Sequence, residues 1–317
     1  MSDERNDDQP TREGPYGGRA DEASGRDRGE SRNSRYKEGR PRPDQGRRVR
    51  PEPGRDRPVN GTQRRDGRTD RDRSSRARTM GGRSGASVDP PTDPEITGQE
   101  LDDEVRSELS TLSGGAAGAV ARHLVMAGRL IDDDPALAYE HALAARRRAA
   151  RVGVVREAAG VAAYAAGRYS DALSELRAAR RITGSPEYLP MMADSERGLG
   201  RPRRALDLAA DPAVAGLDIA GRIEMLIVAA GARRDLGQLE AAAVSLQIPE
   251  LRSRSQRPWV ARLRYAYADA LAALGRVEEA RHWFVKAAEA DRDGETEALD
   301  RIAELDGRTH GDEGLIG

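Results

Sequence analysis

The chain has 317 residues, 34% of them charged and 3% aromatic, with no cysteine and a net charge of −1. The lack of cysteine excludes disulfides, thiolate zinc sites and cysteine nucleophiles, and His123, His141, His282 and His310 show no metal-ligand spacing. The near-neutral total hides an asymmetry: residues 34–83 hold 17 Lys+Arg against 7 Asp+Glu, a net of +10.

Residues 1–95 mix Arg, Asp, Gly, Pro, Ser and Asn in irregular order, as in Gly25-Arg26-Asp27-Arg28-Gly29. Such a segment buries too little apolar surface to offset roughly 1–2 kcal/mol of backbone entropy per residue, so it is expected to stay disordered. Its end, Asp89-Pro90-Pro91-Thr92-Asp93-Pro94, reads as an extended linker. No apolar stretch follows Met1-Ser2-Asp3-Glu4, so no signal peptide is expected. Beyond the tail the longest uncharged run, Leu109 to Ala121, is too short to span a bilayer. A cytoplasmic location is the expectation.

Thr97 and Glu100 have the spacing of a capping box, and Leu101, Val105, Leu109 and Leu112 follow at near-helical spacing, predicting an opening helix. A second helix is predicted from about Ala116 to Leu130. Asp134 caps a third, with Pro135 at its first position, where a missing N–H costs nothing. From there glycines recur at 128, 167, 200, 237 and 275, each expected to sit in a turn. After the last four come Ala172, Ala205, Ala242 and Ala280, then Leu176, Ala209, Leu246 and Phe284 four residues later. Seven residues before the same glycines stand Gly160, Ala193, Ala230 and Ala268. A period of 33–39 residues with small side chains at the helix crossings is the pattern of a helical-hairpin solenoid. The third hairpin's second helix is cut short at Asp211-Pro212, and Asp132-Asp133-Asp134 is an insertion in the first. Glu295 to Leu305, with Ala298, Ile302 and Leu305 on one stripe, reads as a capping helix. Asp306 to Gly317 is expected to fray.

The segments YAAGRYSDALSELRAARR, IVAAGARRDLGQLEAAAVSL and ALAALGRVEEARHWFVKAAEAD resemble tetratricopeptide repeats, over roughly Gly115 to Arg292. The chain as a whole is similar to tetratricopeptide proteins of high-GC bacteria. Its basic residues point the same way, since all but Lys37 and Lys286 are arginine, a bias that suggests an actinobacterium-like source. The resemblance implies an all-α, right-handed solenoid of about five hairpins with opening and capping helices over residues 96–307. A tail at 1–95 precedes it and a frayed end at 308–317 follows. It also implies a concave groove lined by the first helix of each hairpin. Carried over residue by residue, Arg122, Tyr164, Asp194, Arg197, Arg234, Arg262, Tyr265 and Asp269 fall there. Gly118, Glu157 and Val161 stand where a clamp for a C-terminal carboxylate wants Lys or Asn, which argues against that mode of binding.

Four guanidiniums and two tyrosines suit an acidic peptide or helix, through bidentate Arg–carboxylate pairs and aromatic stacking; ordinary solvated helix faces would carry the same residue types. The expected function is a non-enzymatic protein-interaction scaffold without cofactor or metal. The alternative is an RNA- or ribosome-associated factor using the arginine-rich tail, for example Arg47, Arg48, Arg50, Arg64 and Arg65, reinforced by Arg146, Arg147 and Arg148. Tyr36 is the only aromatic in the basic segment, so base stacking would add little. Ser113-Gly114-Gly115-Ala116-Ala117-Gly118 lacks the Lys-Ser/Thr pair of a phosphate loop and reads as a helix start. His123 has no acid within a helical turn, and His282 with Glu278 is ordinary helix-face pairing, so neither reads as a general base. Asp132-Asp133-Asp134 reads as a helix N-cap region rather than a cation site.

Overall fold

A computed structural model describes the backbone of residues 89–313 and side chains as far as residue 307; the expectations for residues 1–88 lie outside the described residues. The described part is all-helical, with twelve α-helices and no strand. They are α1 (Asp103–Leu109), α2 (Gly114–Leu130), α3 (Pro135–Ala149), α4 (Gly153–Ala165), α5 (Tyr169–Thr183), α6 (Leu189–Gly198), α7 (Pro202–Ala209), α8 (Ile219–Asp235), α9 (Leu239–Ser245), α10 (Pro258–Ala273), α11 (Val277–Ala290) and α12 (Ala298–Glu313). From α2 onward each helix packs on the next; α2 also touches α4, α6 touches α8, and α8 touches α10. Helices α2 to α11 therefore form five consecutive hairpins.

The turn glycines set this order. Gly167, Gly200, Gly237 and Gly275 take positive φ of 69°, 71°, 74° and 76°, a conformation glycine adopts without a Cβ penalty. Each closes its helix by the same two hydrogen bonds. At Gly167 the glycine N–H donates to Tyr164 O and the next N–H, of Arg168, donates to Ala163 O. The other three repeat this Schellman pattern, which satisfies carbonyls the helix end leaves open. Gly128 departs from expectation: it lies inside α2 with ordinary φ. The inserted aspartates take over its role, and Asp134 starts α3 by accepting from Leu137 N–H at 3.0 Å, with Pro135 at the first position.

The small residues sit at the crossings. Ala172, Ala205, Ala242 and Ala280 are fully buried, as are Ala193 and Ala268. A Cβ on Gly160 would run into Leu176. One cluster spans α2 to α8 and a second runs from α8 to α12, so α8 belongs to both. A third packs α1 against α2, α3 and α4. Burying a leucine such as Leu176 or Leu246 stabilises by roughly 1.5–3 kcal/mol.

Four boundaries differ from the sequence reading. The Thr97–Glu100 box forms, with Thr97 N–H donating to Glu100 Oε1 at 3.0 Å, but it closes a turn, and α1 starts only at Asp103. Glu100 also takes a 2.6 Å bond from Gly98 N–H; its own backbone N–H, then that of Thr97, holds the carboxyl down to about 2. The short α7 ends as expected at Asp211, which accepts from Ala213 N–H before a 3₁₀ turn, Pro212–Gly216. The equally short α9 was not foreseen: Pro249 starts another 3₁₀ turn and stops the second helix of the fourth hairpin. The C-terminal helix covers the last hairpin with Ala298 and Leu305 and runs on to Glu313, past the Leu305 end read from the sequence. Residues 89–96 are also no free linker. Asp89 is clamped by Arg147 and Arg148 of α3, and Ile96 is buried.

Candidate functional site

The residues expected to line a groove come from α2, α4, α6, α8 and α10, one side of each hairpin. Most are joined across helices. Tyr164 of α4 donates from Oη to Asp194 Oδ2 of α6 at 2.5 Å. Arg197, one turn on, donates to Asp194 Oδ1 at 2.7 Å and reaches α8, with Nε 2.8 Å from Asp235 Oδ2. Arg234 of α8 pairs with Asp269 of α10. Arg301 of α12 lies 3.5 Å from the other oxygen of Asp269 and also pairs with Glu304.

A register underlies this ladder. Tyr164, Arg197 and Arg234 each stand three residues before a turn glycine, and Asp194 and Asp269 each stand six before the next one. The donor of one hairpin therefore meets the acceptor of its successor, because equivalent positions on stacked first helices lie side by side. Position 231 breaks the series with glycine, and there Arg197 extends over the bare backbone to Asp235 instead.

Burial works against the charge of Arg197, but Asp235 and Asp194 outweigh it and hold its pKa above the ordinary arginine value. Arg262 pairs with Glu224 of α8 and sits 4.0 Å from Glu295. It lies seven residues, or about two turns, before Asp269 and so shares its helix face. Tyr265 is set edge-on to Phe284, with ring centres 5.3 Å apart. Arg122 joins none of these pairs; its side chain lies along α2 beside Gly118. Sequence reasoning missed Asp235, Arg301 and Glu224. The spacing to the turn glycines contained the signal for the ladder, but only with donor and acceptor positions read together.

The basic residues assigned to nucleic acid are also engaged. Arg146 and Arg156 hold the buried Glu175, and Arg147 and Arg148 hold Asp89. Arg148, then Arg147, keeps the Asp89 carboxyl down at about 2. On neighbouring helices Arg177 holds the buried Glu196 at 2.7 Å and Arg180 holds Asp211 at 2.9 Å. Arg47, Arg48, Arg50, Arg64 and Arg65 lie outside the described residues.

The histidines divide. His282 is exposed and its ring stands at 82° to that of Trp283. His123 and His141 are buried together, Nδ1 to Nδ1 at 3.0 Å, a partnership between α2 and α3 that single-helix spacing does not reveal. Among the described residues no three His, Asp or Glu side chains are placed to hold a metal ion, and no helix is long and apolar enough to cross a membrane. No known protein family, curated protein or solved structure matches this chain.

Proposed function

We propose that residues 96–307 are a tetratricopeptide-like solenoid and that the protein is a non-enzymatic, cytoplasmic interaction scaffold. On this reading the face made by α2, α4, α6, α8 and α10 holds an acidic peptide or helix. The observation that carries the reading is the ladder from Tyr164 through Asp194, Arg197 and Asp235, and on from Arg234 to Asp269 and Arg301. It runs along the first helices and puts polar donors on a line that an extended or helical partner can follow.

The guanidiniums of Arg197, Arg234 and Arg262 already hold carboxylates, so an acidic partner enters by exchange. Its carboxylates take places now held by Asp235, Asp269 and Glu224, while Arg122 offers charge that no ion pair among the described residues consumes. Exchanging one half-exposed ion pair for another changes little free energy. Affinity then rests on several contacts together, and binding is salt-sensitive.

The test is co-purification with the full-length chain, with and without RNase, using the wild type, Arg122→Glu, and Arg197→Glu with Arg234→Glu. Loss of the same partners from both variants, with Arg122→Glu melting as the wild type, supports the groove. Partners kept by both variants overturn it. Partners lost only after RNase transfer the function to the arginine-rich tail.

A further inference from the structure

His123 and His141 stand at the seam of the first hairpin, 5% and 1% exposed, with their Nδ1 atoms 3.0 Å apart. At that distance one nitrogen must donate and the other accept, so the contact requires the accepting ring to be neutral at Nδ1, with one Nδ1–H between the two. A proton added to the accepting nitrogen turns both into donors. It also places a cation where water cannot solvate it. We propose that this pair is an acid-sensitive latch: it holds α2 against α3 while one Nδ1 accepts from the other and releases the seam when the accepting Nδ1 gains a proton.

The surroundings favour the closed, neutral pair. Burial, then His141, then Arg148 hold His123 down to about 4; Arg147 acts in the same direction, and Asp89 opposes. Burial likewise lowers His141, against Glu140. Several charged groups on the packed elements are engaged elsewhere, while Arg122 of α2 lies beside Gly118. Arg156 of α4 is held by Glu175, Glu157 is buried on α4 with interactions of its own, and Glu108 of α1 accepts from Val154 N–H. Asp89 is an anion that acts on His123, and the guanidiniums that hold it are those that repel the proton. The latch therefore sits where the segment ahead of α1 is pinned to the first hairpin.

Between pH 7 and 5 most carboxylates stay ionised and histidine is the group that titrates. The experiment is amide hydrogen exchange on the full-length protein at pH 7 and 5, corrected for intrinsic rates, with imidazole NMR shifts followed over the same range. The opened rings regain an ordinary histidine pKa near 6.5, so protection in α2 and α3 should fall on the order of tenfold or more at pH 5. That of α10 and α11 should stay unchanged. His141→Gln, neutral throughout, should remove the difference. Two further variants keep the pair: Asp89→Asn should move the transition to lower pH and Arg148→Gln to higher pH. Equal protection of α2 and α3 at both pH values, or a fully folded hairpin whose rings titrate near 6.5, overturns the latch.

Discussion

The guanidinium of Arg197 rests against Gly231 of the neighbouring helix. A Cβ at position 231 would lie 2.5 Å from Arg197 Cζ and 2.7 Å from its Nη1. The absence of that carbon lets Arg197 cross α8 to Asp235. Gly231→Ala should therefore destabilise by about 1 kcal/mol, although alanine alone favours a helix interior by about that amount over glycine. In an Arg197→Met background the same change should stabilise by about 0.5–1 kcal/mol. Urea unfolding of the four proteins forms the cycle, and an effect of Gly231→Ala with the same sign in both backgrounds would refute the contact.

Gly160 faces Leu176 so closely that a Cβ would lie 2.6 Å from the leucine Cγ. Gly160→Leu should cost on the order of 1–3 kcal/mol or more through overpacking. Gly128 is also helical but meets nothing within 4 Å. Gly128→Ala should raise stability by about 0.5–1 kcal/mol. Melting temperatures that move in the same direction for both would contradict the difference in packing.

Glu175 is 3% exposed between Arg146 and Arg156, whose side chains are 35% and 24% exposed. The arginines can turn to water, whereas the glutamate cannot. Arg146→Met with Arg156→Met leaves the carboxylate stranded and should cost about 3–5 kcal/mol. Glu175→Met should cost clearly less. Equilibrium denaturation ranks the two, and the reverse order would show that the carboxylate reaches solvent.

Asp89 is ionised in the fold down to about pH 2, below the ordinary aspartate value of 3.8. A depressed folded pKa adds stability that is fully present above the unfolded value and is lost as pH falls through the folded one. Its side chain is partly exposed, so solvent screening limits the contribution to on the order of 0.5–1 kcal/mol. Asp89→Asn should remove that amount at pH 7 and progressively less as pH falls from about 4 through about 2, read as the gap between two stability–pH curves. Parallel curves across this range would mean that the clamp does not form.

Much of the hairpin order was legible along the chain. Gly167, Gly200, Gly237 and Gly275 mark turns because only a residue without Cβ takes positive φ cheaply. Ala172, Ala205, Ala242 and Ala280 mark crossings because close helices exclude larger side chains. Gly128 misled because the same residue type inside a helix looks identical in one dimension. Pro249 was visible, yet its truncation of α9 was overlooked beside the more obvious Asp211-Pro212.

Amino-acid order alone determined the all-helical class, the four glycine turns and the caps at Asp134 and Asp211, since each depends on residues a few positions apart. Tertiary structure decided which charges meet. Arg197 finds Asp235 across 38 residues, Arg147 finds Asp89 across 58, and His123 finds His141 across 18. A residue type specifies what a side chain can bond. Only the stacking of helices fixes which partner comes within 3 Å, and so whether an arginine is offered to a ligand or already held.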